Sequence, residues 1–238
     1  MEAIIMAAGT GKRIRALTGG NPKSYLEIQG ERLLGRQLRL LNQTGVTKTI
    51  VVTGYKTEVI RDDFADTNVV FAFNPFFETT NVLVSFWCAQ HLLSEDFVYL
   101  HADTVFHEDI LKKLLDHSGD IVLPVDFKHC GMEEMKVRVD GDRVMEISKQ
   151  IPPAAAQGEF IGIAKLSKNV LWEIKASVER LLIAKKFDEY FEASLQDLID
   201  RRISDIRCFP TNGLPWNEID SSEDYLHAKQ LFEASQDR

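Results

Sequence analysis

No stretch of the 238 residues approaches the roughly 18 to 20 consecutive apolar residues that a membrane-crossing helix needs, so no such helix is expected. The start also lacks the basic flank and following apolar segment of a secretory signal, and a cytoplasmic protein is expected. Cysteine is scarce: Cys88, Cys130 and Cys208 are odd in number, far apart and free of any Cys-x-x-Cys spacing. That pattern offers neither a disulfide framework nor a zinc site and fits reduced, mostly buried thiols. Positive charge is short as well. Lysine and arginine total 28 against 36 aspartates and glutamates, a formal net charge of −8. An acidic surface repels phosphate backbones and anionic lipid, so neither nucleic acid nor membrane is expected as a partner. Internal repeats and low-complexity tails are missing too.

Against that acidic background, the local basic cluster between Lys12 and Lys23 carries information. The apolar run Ala3-Ile4-Ile5-Met6-Ala7-Ala8 empties into Gly9-Thr10-Gly11-Lys12-Arg13 and then Asn21-Pro22-Lys23-Ser24. A short apolar run bounded by glycine reads as a buried strand. Glycines at its end let the backbone turn with N–H groups exposed, and Lys12, Arg13, Arg15 and Lys23 bring cations to that turn. The bland alternative is a glycine turn with solvated basic neighbours. Two commoner phosphate motifs are excluded by what is missing. The P-loop pattern needs glycine where Met6 stands and a hydroxyl residue where Arg13 stands, and the dinucleotide fingerprint needs glycine where Ile14 stands.

Further along, Leu33, Leu34, Leu38 and Leu41 recur at helical spacing up to Gly45, Thr49–Thr53 reads as a strand, residues 56–64 as a short helix and Val69–Phe73 as a third strand. Strand, helix, strand at this spacing predicts right-handed crossovers and a parallel sheet. Thr79-Thr80-Asn81 offers capping chemistry to a helix carrying Val82, Leu83 and Phe86. Phe97–Leu100 reads as a buried strand ending in His101-Ala102-Asp103-Thr104. Asp103 there is either a ligand at a strand end or a cap for the helix beginning near His107. Ile121–Val125 is a strand, Met135–Val139 and Arg143–Ile147 a hairpin, Pro152–Gly158 a flexible link and Phe160–Ala164 one strand. Helices are expected near 168–185 and 188–200, then a strand at Ile206–Pro210, Trp216–Asp220, and a closing helix from Ser222.

The string Ala7-Ala8-Gly9-Thr10-Gly11-Lys12-Arg13, with Pro22-Lys23 following, resembles the signature of the nucleotidyltransferases that join a nucleoside triphosphate to a phosphorylated acceptor. His101–Thr104, Trp216–Ser221 and the segment Asn74-Pro75 to Asn81 with Ser85-Phe86-Trp87 resemble their phosphocholine, aminoethylphosphonate and alditol-phosphate cytidylyltransferase branches. Where many relatives carry proline, Ala16 stands. The resemblance covers Met1 to about Tyr225 and implies a Rossmann-like three-layer α/β sandwich. Its central sheet would be mixed and mostly parallel, with an inserted β-hairpin region. Residues 1–238 are then one domain, with 1–125 the nucleotide-binding half and 126–238 the acceptor half and closing helix.

Nucleotidyl transfer is an in-line attack of an acceptor oxygen on the α-phosphorus, expelling pyrophosphate, and its barrier is mostly electrostatic. Such a site needs a glycine loop, cations and metal carboxylates, but no protein nucleophile, because the acceptor oxygen is already ionised. The resemblance assigns Lys23 and Arg13 to the reacting phosphates. Gly9, Thr10, Gly11 and Lys12 serve the triphosphate, the backbone of Ala7 and Ala8 the base, and Asn81 and Ser85 its edge. Asp103 and Asp220 are the Mg²⁺ candidates, since that ion takes hard oxygen ligands; taken alone, Asp220 serves equally well as an N-cap. Lys149 matches a family lysine that meets the acceptor phosphate. Glu159 and Trp216 fit a cationic amine on the acceptor, or equally a solvated carboxylate and a core indole. The expected partners are CTP and a small phosphorylated or phosphonylated acceptor of phosphocholine or aminoethylphosphonate type, with a homodimer also expected. A sugar-1-phosphate or alditol-phosphate nucleotidyltransferase using CTP, UTP, dTTP or GTP and a silent nucleotide-binding regulatory module are the competing readings.

Overall fold

In the computed structural model, which describes residues 1–65 and 67–234, the first apolar run is the strand β1 (Glu2–Ala7), buried along its whole length. Burial on both faces has a simple cause. Ile4 and Met6 pack into one apolar layer, while Ala3, Ile5 and Ala7 pack into the other, so β1 lies in the middle of a three-layer structure.

The elements then follow in order: a small hairpin of β2 (Glu27–Ile28) and β3 (Glu31–Arg32), α1 (Leu33–Gln43), β4 (Lys48–Thr53), α2 (Thr57–Asp63), β5 (Val69–Phe73) and α3 (Val82–Ala89). Next come β6 (Phe97–His101), β7 (Thr104–Phe106), α4 (Glu108–Asp116), β8 (Ile121–Asp126), β9 (Lys136–Asp140), β10 (Arg143–Ser148), β11 (Gly158–Phe160) and β12 (Ile163–Leu166). The chain closes with α5 (Leu171–Ile183), α6 (Glu192–Asp200), β13 (Ile206–Pro210), β14 (Trp216–Glu218) and α7 (Ser222–Ala234). A ten-stranded sheet runs β11-β9-β10-β13-β8-β12-β6-β1-β4-β5. Its β6-β1-β4-β5 part is parallel, as the short crossovers predict. β12 pairs antiparallel with both β6 and β8, which makes the sheet mixed.

Strand order reverses at β1, which has β6 on one side and β4 on the other. Open α/β sheets bind ligands where the carboxyl ends of the strands diverge at such a point. Helices α1, α2 and α4 cover one face through Leu34, Leu38, Leu41, Ile60, Ile110 and Leu114; α3, α5 and α6 cover the other through Phe86, Ile174, Val178 and Leu195. Burying each such side chain contributes about 1.5–3 kcal/mol relative to leaving it in water.

The second half departs from the expected pattern in places. Phe160–Ala164 is not one strand: Gly162 adopts φ +77 and a side chain there would strike the His101 ring, so the run breaks into β11 and β12. β11 turns aside to pair with β9 and with the end of β8. The link at Pro152–Gly158 contains a 3-10 turn at Pro153–Ala155 and already enters β11 at Gly158. β7, unforeseen, pairs antiparallel with β14 and carries Glu218 beside Thr104. The expected helices begin later, at Leu171 and Glu192, and residues 235–238 of the assigned domain lie outside the described residues. Among the described residues no helix is long and apolar enough to cross a membrane.

Candidate active site

Above the carboxyl ends of β1 and β6 opens a cleft of about 370 Å³, within the size range of small-ligand sites. Its floor is the glycine loop. Gly11 has φ +54, a left-handed turn that favours glycine, and a side chain there would press on Lys23 at 3.1 Å. Gly9 differs: a side chain built on it meets nothing within 4 Å, so its smallness leaves room on the cleft side and is not required by packing. Ala7, Ala8, Thr10, Lys12 and Arg13 line the same wall. Arg15 does not; its guanidinium lies over the Tyr55 ring at 5.3 Å, outside the lining. The four-cation cluster read from the sequence is therefore Lys12, Arg13 and Lys23 in the cleft.

Lys23 is the centre of this charge arrangement. Pro22 leads into the 3-10 turn that holds it, and its ammonium donates to Asp103 Oδ2 at 2.6 Å and to Asp220 Oδ1 at 2.5 Å. Arg13 adds a 3.3 Å contact to the other oxygen of Asp220. Burial opposes the charge on Lys23, but the two carboxylates outweigh it and hold the ammonium above its ordinary pKa. Burial likewise opposes ionisation of Asp103, and Lys23 reverses the balance, so its pKa lies below the usual carboxylate range. Residues far apart in sequence thus supply two carboxylates to one cationic point.

Neither aspartate is a helix cap. His107 caps α4 by accepting from Asp109 N, and at α7 Ser221 Oγ accepts from Asp224 N while Asp224 accepts from the N–H groups of Asp220 and Ser221. That reciprocal capping leaves the Asp220 carboxylate to the cleft. The sequence reading missed Glu218 and His101. His101, Asp103 and Glu218 place ligand atoms within 4.8 Å of one another. His101 Nε2 lies 3.2 Å from the buried Glu192 and 3.0 Å from the Tyr99 hydroxyl, and Nδ1 lies 3.6 Å from Glu218. Burial disfavours the imidazolium, but Glu192 and Glu218 overcome it and hold His101 well above its ordinary value. Only the position of His101 and Glu218 beside the two aspartates signalled them in the sequence.

On the opposite wall stand Phe77, Thr80, Asn81 and Ser85. Asn81 is also bonded within the chain: Oδ1 accepts from Val82 N, capping α3, and Nδ2 donates to the Asp188 carbonyl. The side chain expected to read a base edge thus lines the cleft and also caps α3. Ser85 is buried and accepts from Nδ2 of the fully buried Asn74, which orients it toward the cleft. Lys149 follows β10 and enters the cleft with its ammonium 4.7 Å above the Tyr190 ring. Glu159 and Trp216 come together, but outside the cleft lining and around Lys128: Glu159 Oε2 is 2.7 Å from the Lys128 ammonium, which lies 4.9 Å from the Trp216 ring centre.

A Rossmann-like sheet whose first strand ends in a glycine loop, with cations and paired carboxylates gathered at the switch point, defines a nucleotidyltransferase. The chain belongs to the family described as MobA-like NTP transferase domain, which matches residues 3–197. It is 24% identical to the CTP:phosphoglutamine cytidylyltransferase of Campylobacter jejuni, over 94% of this chain and 97% of that one. It is also 24% identical to the choline-phosphate cytidylyltransferase of Streptococcus pneumoniae, over 98% of each chain. The fold matches a solved structure of CTP:phosphocholine cytidylyltransferase from Streptococcus pneumoniae with a TM-score of 0.80, at 21% identity, covering 97% of this chain and 98% of that one.

Proposed function

We propose that this chain transfers CMP from CTP to a small phosphorylated or phosphonylated acceptor, releasing pyrophosphate. The observation that carries the reading is the Lys23 ammonium held between Asp103 and Asp220 beside the glycine loop. The relatives named as cytidylyltransferases support CTP as the donor.

The backbone of Gly9 to Gly11, with Lys12 and Arg13, receives the triphosphate, and the turn at the end of β1 positions the base against Ala7 and Ala8. Ser85, oriented by Asn74, is the side chain placed to meet a base edge. In the free protein Lys23 rests on its carboxylates. An arriving triphosphate offers it a second set of anionic oxygens, so the ammonium is drawn to the α-phosphate, where negative charge grows in the transition state. Lys149, on the far side of the cleft, meets the acceptor phosphate and lowers the repulsion between two anions. The acceptor oxygen needs no general base.

Asp103 and Asp220 fit a shared divalent cation because their oxygens already converge on one cationic point, within 2.6 and 2.5 Å of the Lys23 nitrogen. An all-oxygen pair of this kind suits Mg²⁺. When bound, the ion supplies charge neutralisation and orientation to the phosphates. Glu218 stands close enough to Asp103 to join the set.

The test is pyrophosphate release with Mg²⁺ on a matrix of CTP, UTP, dTTP and GTP against phosphocholine, 2-aminoethylphosphonate, alditol phosphates and hexose 1-phosphates. Release with CTP and a small acceptor is expected. Release with UTP and a hexose phosphate alone would move the reading to a sugar nucleotidyltransferase, and no release with any pair would contradict it.

A further inference from the structure

A second hollow, of about 500 Å³, opens at the opposite end of the sheet from the cleft. It lies against the amino ends of β4 and β5, where Lys48, Thr49 and Val69 start the two strands, and α1 forms its other wall. At about 3.3 Å per residue, the length of β4 sets the hollow about 17 Å from the glycine loop. Two residues there have no explanation within the fold. Gly35 stands inside α1, where glycine weakens a helix. Its φ is not positive and a side chain built on it meets nothing within 4 Å, so neither backbone geometry nor packing calls for glycine. Thr49 is 5% exposed, yet among the described residues nothing hydrogen-bonds its hydroxyl. Thr53, on the same face of β4, shows the contrast: its hydroxyl meets Thr57 Oγ1 at 2.6 Å and the Ala72 carbonyl at 3.1 Å. A buried hydroxyl without a partner is costly, and the one on Thr49 belongs to the lining of the hollow.

We propose that this hollow is a second binding site, for a neutral planar ligand of the nucleobase or nucleoside class. Charge narrows the class first. No carboxylate lines the hollow among the described residues, so nothing there balances a cation. The two cations on its rim are already engaged. Arg39 donates to both oxygens of Glu31, at 2.9 and 2.8 Å, while Lys48 lies 3.1 Å from the buried Glu2 and donates to the Leu92 carbonyl. An anion finds no free partner. Shape and polarity narrow the class further. Leu38, Val46 and Phe64 give an apolar surface for the face of a ring. The Thr49 hydroxyl and the carboxamides of Asn42 and Asn68, which no described residue engages, offer donors and acceptors to its edge. A carboxamide matches the adjacent donor and acceptor of a nucleobase edge. A purely aliphatic ligand would leave Thr49 unpaired. Gly35 keeps open the space in which the ring lies. The site is separate from the cleft and does not depend on the reaction proposed there.

The test is a titration of the isotope-labelled full chain with cytidine, uridine, adenosine and inosine to millimolar concentration, followed by backbone amide resonances. At least one nucleoside should shift Gly35, Thr49 and Asn68 together and saturably, with one dissociation constant. Gly9 and Gly11 report the cleft separately. Thr49→Val, which keeps the shape and loses the hydroxyl, should weaken that binding by about tenfold. Gly35→Leu, which fills the hollow with a better helix former, should abolish it while the melting temperature stays at or above the native value. Asn42→Leu, at an exposed position on the same wall, removes a carboxamide and serves if Gly35→Leu does not fold. Shifts confined to Gly9 and Gly11, or no saturable shift with any of the nucleosides, would overturn the proposal. So would an affinity that Thr49→Val or the folded wall variant leaves unchanged.

Discussion

Lys23, Asp103 and Asp220 make opposite demands on one another, and this gives the site its character. Each carboxylate is stabilised by the ammonium in the free protein, and under the proposed function each would also serve a metal once the triphosphate draws that ammonium away. If both aspartates serve one ion, removing either removes most of what the pair does. Asp103→Asn and Asp220→Asn should each weaken the Mg²⁺ dependence of pyrophosphate release, with the double variant little worse than the worse single one. Effects that simply add, measured as apparent Mg²⁺ constants, would show that the two do not share a metal. Glu159 makes a separate demand. Burial raises its carboxyl to about 7, and Lys128, which pulls the other way, only partly offsets this. An unfolded glutamate titrates near 4.3, at about the ordinary value, so the folded chain holds the extra proton between those values. The contribution of Glu159 to stability is full below the unfolded value and is lost as pH rises through the folded one. Replacing it by glutamine removes that dependence. The melting temperature of Glu159→Gln relative to the native chain should therefore climb between about pH 5 and 8. A flat difference would mean that Glu159 stays ionised throughout.

At the scale of elements, the glycine loop is shaped from behind as much as from within. Gly54, at the end of β4, allows Tyr55 N to donate to the Ala8 carbonyl at 3.1 Å, and a side chain on Gly54 would come within 2.6 Å of that oxygen and of Phe77. Gly54→Ala should cost about 1–3 kcal/mol of stability and lower the melting temperature by about 2–4 °C per kcal/mol for a chain of this size. Gly9→Ala should leave melting unchanged, since its side chain meets open space, and raise the Michaelis constant for CTP by about tenfold or more. A destabilised Gly9→Ala, or a Gly54→Ala that melts as the native chain does, would contradict this division. Much of the element order was legible because the first half obeys strong periodicities: Ala3–Ala8, Thr49–Thr53 and Val69–Phe73 are short apolar runs punctuated by turns. The second half was harder for physical reasons. β7 is three residues long and has no alternation to read, and the break at Gly162 is imposed by the His101 ring, a contact that exists only once the strands have met.

For the whole molecule, the site was legible to the extent that its chemistry is carried by motifs. Lys23, Asp103 and Asp220 lie in strings that announce themselves, and the structure brings them within hydrogen-bond reach across nearly the full chain. Asn81 lines the cleft as expected and also caps α3, a second task that its string did not announce. Glu218, His101 and Tyr190 were passed over because their roles depend on which residues the fold sets beside them. Lys128 was invisible for the same reason: a lone lysine in a loop carries no signal until Glu159 and Trp216 close around it. The account as a whole stands on Lys23 acting in nucleotidyl transfer, and one comparison reaches it most directly. Pyrophosphate release and formation of the CMP adduct are measured together, by phosphorus NMR, for the native chain and for Lys23→Ala at saturating CTP, Mg²⁺ and the best acceptor of the panel. The account predicts stoichiometric release and adduct formation by the native chain, with Lys23→Ala slower by about 10²-fold or more while its circular dichroism is unchanged. A folded Lys23→Ala that turns over at a near-native rate would contradict it.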